Sequence, residues 1–66
     1  MTIYVNGEEK NIPESFTVAD YVSSEGFLLT RIAVEINGDI IPKAKYNETL
    51  LHSKDVIEIV SFVGGG

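Results

Sequence analysis

Two Asn-Gly dipeptides, Asn6-Gly7 and Asn37-Gly38, each lie between apolar-rich runs, and they constrain the fold of this chain more than any other feature. Asparagine and glycine both tolerate the positive φ angles that the central residues of a type I′ turn require, and that turn matches the twist of the strands it joins. The first pair predicts a hairpin between Ile3-Tyr4-Val5 and Glu8–Ile12, with Ile3, Val5 and Ile12 turned inward. The second predicts that Arg31–Ile36 returns as a brief strand at Ile40-Ile41. Alternation within Arg31–Ile36 puts Arg31 and Glu35 in solvent and Ile32, Val34 and Ile36 in the core. Pro42 lacks an N–H, so the return strand is an edge or stops there, and Lys43–Tyr46 reads as a turn or short 3₁₀ segment.

Between the hairpins, Thr17-Val18-Ala19-Asp20 has the form of a capping box with aspartate at its third helical position, and Phe16 is placed to staple against Tyr21. Val18, Tyr21 and Val22 then form one apolar stripe, and Gly26 follows where a helix would end. Further on, Leu50 and Leu51 are expected core anchors, and Ser53-Lys54-Asp55 is expected to turn into a last strand, Val56–Val63. A carboxylate is rarely buried unpaired, so Glu58 sets the register of that strand. Ile57 and Ile59 face inward, whereas Glu58, Val60 and Phe62 share the outer face. Isolated exposed hydrophobes are ordinary on protein surfaces. Position beside the chain's end is what makes Val60 and Phe62 candidates for docking a partner. The order of elements, ββαββ and then β, predicts an α+β fold.

A chain of 66 residues forms one domain with a simple core, since so short a chain buries only about 60% of its unfolded surface. A deep catalytic cleft is not expected. The absence of cysteine excludes disulfides, thiolate metal sites and a cysteine nucleophile. Ten acidic against five basic side chains give a net charge of −5, which disfavours nucleic acid and favours a basic partner surface. No apolar stretch approaches the roughly 18 residues of a membrane span, and Met1–Val5 lacks signal-peptide character, so the expected location is the cytoplasm. His52 is the single histidine and reads as a solvated turn residue; no metal site and no catalytic side-chain constellation are expected.

The last residues are Val63-Gly64-Gly65-Gly66. Glycine has no Cβ, so such a segment can extend freely and leaves its terminal carbonyl unobstructed. Four extended residues reach at most about 13 Å, enough to cross a narrow channel into another protein's active site. Taken alone, the glycines fit a frayed chain end equally well.

Three stretches, Ile3–Glu8, Val34–Pro42 and Asp55–Gly66, occur in an order and spacing that resemble the ThiS family, the sulfur carriers of thiamine biosynthesis. The last stretch is the most specific. The resemblance implies a ubiquitin-like β-grasp, a small mixed sheet packed on one helix with the first and last strands as central neighbours, over residues 1–63, and a flexible glycine tail over 64–66. It also implies a carrier and cosubstrate rather than an enzyme. The Gly66 carboxylate would be adenylylated by a ThiF-type adenylyltransferase that uses ATP, then converted to a thiocarboxylate by way of a sulfur-donating protein. That thiocarboxylate would deliver sulfur to the thiazole synthase ThiG for the thiazole ring of thiamine. Gly64 and Gly65 would provide clearance for tail insertion, Val60, Phe62 and Val63 would dock the partner, and the carrier itself would bind no cofactor. The small subunit of molybdopterin synthase, a ubiquitin-like modifier and a noncatalytic interaction module are the alternative readings.

Overall fold

The computed structural model describes residues 1–62. The elements run β1 (Thr2–Val5), β2 (Glu8–Asn11), α1 (Val18–Ser24), a 3₁₀ turn (Leu29–Arg31), β3 (Ile32–Ile36), β4 (Asp39–Ile41), a second 3₁₀ turn (Lys43–Lys45) and β5 (Val56–Ser61). Both predicted hairpins are present, and their turns have the positive φ pairs expected: Asn6 52° with Gly7 82°, and Asn37 51° with Gly38 90°. The five strands form one mixed sheet in the order β2-β1-β5-β3-β4. Strand β5 is therefore central, parallel to β1 and antiparallel to β3. Parallel neighbours cannot be joined by a tight turn. The long connection from β1 to β5 carries α1 and the second hairpin, and it lets the first and last strands lie side by side as expected.

Helix α1 has only seven residues, too few to stand alone in water, and its ends are secured by local bonds. Thr17 Oγ1 accepts from the Asp20 amide at 3.0 Å, and Asp20 Oδ2 accepts from the Thr17 amide at 3.0 Å, which closes the predicted capping box. The two amides at the start of the helix are satisfied from a distant loop: Val18 N–H donates to Thr49 O and Ala19 N–H to Tyr46 O. At the other end Gly26 takes φ +76°, its amide donates to Ser23 O, and the Phe27 amide donates to Val22 O, the paired bonds of a Schellman motif.

The apolar stripe Val18, Tyr21 and Val22 packs with Ile3, Val5, Ile12, Ile32, Val34, Ile36, Tyr46, Leu51, Ile57 and Ile59 into one buried cluster, with Phe16 and Phe27 against its margin. Every inward residue predicted on the two hairpins and on β5 is in it. Burial pushes the pKa of the Tyr46 hydroxyl above its ordinary value, partly offset by the Val34 backbone, although the buried hydroxyl closes no full hydrogen bond. Tyr21 is raised for the same cause, with the Glu25 carboxylate 3.5 Å away adding to it.

Three expectations need correction. Leu50 is 48% exposed while Leu51 is buried. The backbone there is extended, pinned by the Thr17–Leu50 bridge and by the Leu51 amide on Phe16 O, so adjacent side chains point oppositely and only one can reach the core. Arg31 closes a 3₁₀ turn and does not open β3, because its amide donates back to Leu28 O at 2.9 Å and so cannot join the ladder. Glu35 is half-buried, not free in solvent.

Candidate functional site

Strand β5 is the element that leads into the glycine-rich end of the sequence, and what fixes its register is the asparagine of each hairpin turn. Asn6 Nδ2 donates to Ile59 O at 3.1 Å, and Ile59 N–H donates to Asn6 Oδ1 at 2.8 Å. The side-chain amide thus imitates one more peptide group of β1 after that strand has turned away, and it extends the parallel ladder along β5. On the other side Asn37 accepts from the Val56 amide at 2.9 Å through Oδ1, while its backbone N–H donates to Val56 O at 2.7 Å. Asn37 Nδ2 also donates to Asp55 Oδ1 at 3.0 Å.

Asp55 is the one buried charged residue among those described. Its Oδ2 accepts from the His52 amide at 2.8 Å, so both carboxylate oxygens are bonded and close the turn that launches β5. The His52 ring is exposed, with Nδ1 3.9 Å from Asp55 Oδ2, too far for a hydrogen bond. It is the solvated turn residue expected. The asparagines were legible as turn formers, but their second role was missed. The available signal was that asparagine, unlike glycine at the same turn position, brings an amide able to pair with a neighbouring backbone.

The face of the sheet turned away from α1 is open. Cross-strand register puts Glu9, Tyr4 and Val56 in one row, Ile40, Glu35 and Glu58 in the next, and Ala33 with Val60 in a third. Val60 is 55% exposed and Phe62 50% exposed, which agrees with their predicted outward placement. The other docking residue, Val63, and the tail residues Gly64, Gly65 and Gly66 lie outside the described residues. Among the described residues there is no cluster of three potential metal ligands, and no helix is long and apolar enough to cross a membrane.

Comparison with known proteins agrees on one family. The ThiS family model matches residues 3–66. The sulfur carrier protein ThiS of Bacillus subtilis is 40% identical over 65 residues, covering 97% of this chain and 98% of that protein. A thiazole synthase of Paramagnetospirillum magneticum is 39% identical over 66 residues, all of this chain but 20% of the relative, so the chain spans about a fifth of that protein. Among solved structures, the crystal structure of the thiamine biosynthesis protein ThiS from Geobacter metallireducens superposes with a TM-score of 0.84 at 28% identity, each chain covered completely. The sheet order and single helix are those of the ubiquitin-like β-grasp expected from the sequence.

Proposed function

Because the chain belongs to the ThiS family, we propose that it is a sulfur carrier of thiamine biosynthesis whose working group is the Gly66 carboxylate. The observation that carries this reading is a central strand, held in register from both sides, with exposed Val60 on it and exposed Phe62 just past its end, directly before Val63-Gly64-Gly65-Gly66 in sequence. A free α-carboxylate, with a pKa near about 3.5, is ionised at neutral pH and resists nucleophiles. Attack of its oxygen on the α-phosphorus of ATP, with pyrophosphate leaving, forms an acyl-adenylate and supplies the missing leaving group. A sulfur nucleophile then displaces AMP at the acyl carbon. In this scheme the adenylyltransferase binds the ATP, a sulfur-donating protein furnishes the sulfur, and the carrier offers a carbonyl without side-chain obstruction.

The recipient in this reading is a thiazole synthase. Support comes from the P. magneticum relative, in which a stretch similar to all of this chain occupies one fifth of a thiazole synthase polypeptide. Val60, Phe62 and Val63 serve as docking residues, and Gly64 and Gly65 as the part that enters a partner's channel. Carrier-dependent exchange of pyrophosphate into ATP by a ThiF-type adenylyltransferase tests the first step. The full chain supports exchange, and a chain ending at Gly64 does not. Equal exchange with both chains would refute the assignment of Gly66.

A further inference from the structure

The outer face of the sheet carries a pairing that the fold alone does not explain. Glu35 of β3 and Glu58 of β5 are direct cross-strand partners, so their side chains rise side by side from the same face. Like charges in that relation destabilise a sheet, and none of the ion pairs among the described residues involves either carboxylate. The residues beyond Phe62 bring no basic side chain. Around the pair the face is apolar: Ile40 beside Glu35 is 74% exposed, and Val56 and Val60, flanking Glu58 on the same side of β5, are 49% and 55% exposed.

We propose that this face docks a protein surface presenting an arginine ringed by apolar side chains, with the guanidinium seated between Glu35 and Glu58. The proposal rests on the carrier reading above, which supplies the partner to be tested, and it adds the chemistry by which that partner is recognised. Arginine fits better than lysine because its planar fork can engage two carboxylates at once and sheds water more readily than an ammonium. A divalent cation fits poorly, since calcium takes six to eight oxygens and the pair is hemmed by Ile40, Val56 and Val60. A second copy of this chain fits worse, because it would set four carboxylates against one another. A net charge of −5 adds steering toward a basic partner but does not by itself select this face.

The test measures binding of the full chain to the ThiF-type adenylyltransferase by calorimetry without ATP, so that affinity is read independently of turnover. The variants are the double substitution Glu35→Gln with Glu58→Gln, and the control Glu48→Gln, an exposed carboxylate paired to Lys45 at 2.8 Å. The double variant weakens Kd roughly tenfold and flattens its dependence on salt. The same change raises the thermal midpoint by about 1–5 °C, because it relieves the cross-strand repulsion. Glu48→Gln leaves Kd unchanged. An unaltered Kd in the double variant, or equal weakening by Glu48→Gln per charge removed, overturns the proposal. Loss of binding with a lowered midpoint would make the pair structural and also overturn it. Glutamate-dependent binding without ATP turnover by the wild-type chain would instead sink the carrier reading and leave the docking surface standing.

Discussion

Replacing Asn6 by glycine separates its role in the turn from its role in holding β5. Glycine adopts the 52° φ of position 6 without strain, and Gly-Gly is itself a favoured type I′ pair, so the hairpin geometry survives. What disappears is the side-chain amide, and with it the 3.1 Å bond to Ile59 O and the 2.8 Å bond from Ile59 N–H. Each such bond contributes about 0.5–1.5 kcal/mol net, and the added freedom of glycine in the unfolded chain costs up to about 1 kcal/mol more. Both bonds are partly buried, so water replaces them incompletely. The expected loss is therefore about 2 kcal/mol, which lowers the midpoint of a domain this small by roughly 8–16 °C. Thermal unfolding by circular dichroism gives the total, and hydrogen exchange localises it: the Ile59 amide should lose protection well beyond the global change, while the Val34 amide on the opposite side of β5 tracks it. A midpoint within about 2 °C of wild type, with Ile59 protection intact, would refute the claim that the turn asparagine sets the strand's register.

Thr17→Ala removes the hydroxyl that accepts from the Asp20 amide, so chemical denaturation should show a loss of about 1 kcal/mol. Tyr46→Phe deletes a buried hydroxyl that closes no full hydrogen bond, and equilibrium unfolding should change by less than about 1 kcal/mol near neutral pH. The folded chain holds the protons of Tyr21 and Tyr46 above their ordinary value of 10.0, so the unfolded chain ionises first. Their contribution is whole below pH 10 and is lost as the pH rises beyond it, and in alkaline melts the decline should be shallower for Tyr46→Phe. Gly65→Ala should leave the melting curve unchanged and slow acyl-adenylate formation, because it adds a Cβ to the proposed inserting segment; unaltered activation kinetics would count against tail insertion.

The parts of the fold legible in the sequence are those governed by neighbours a few positions away. Asn6-Gly7 and Asn37-Gly38 specify their turns by their own φ preferences, Thr17 and Asp20 close a box three residues wide, and Glu58 fixes by period two which side of β5 is buried. Leu50 and Leu51 were not resolved because either leucine satisfies composition. The choice between them is made by the Thr17 bridge and the Phe16 carbonyl, both more than 30 positions away. Arg31 was misplaced for a different reason: alternation does not say where a strand begins, and the Arg31 amide turns back onto Leu28 O instead of entering the ladder. Most instructive is Asn6, whose side chain acts 53 residues further on, at Ile59. Nothing local announces that contact. Strand order likewise came from the family resemblance, since periodicity alone stops at α+β.

The central claim is that β5 leads to a terminal carboxylate which partners activate and load with sulfur. Its most direct test is intact mass of the chain, with fragmentation of the C-terminal peptide, after incubation with a ThiF-type adenylyltransferase, ATP and a sulfur-donating protein. The account predicts exchange of one oxygen for sulfur, located at Gly66 and dependent on ATP. An unchanged C-terminal mass with an adenylyltransferase shown to be active on another carrier would contradict it.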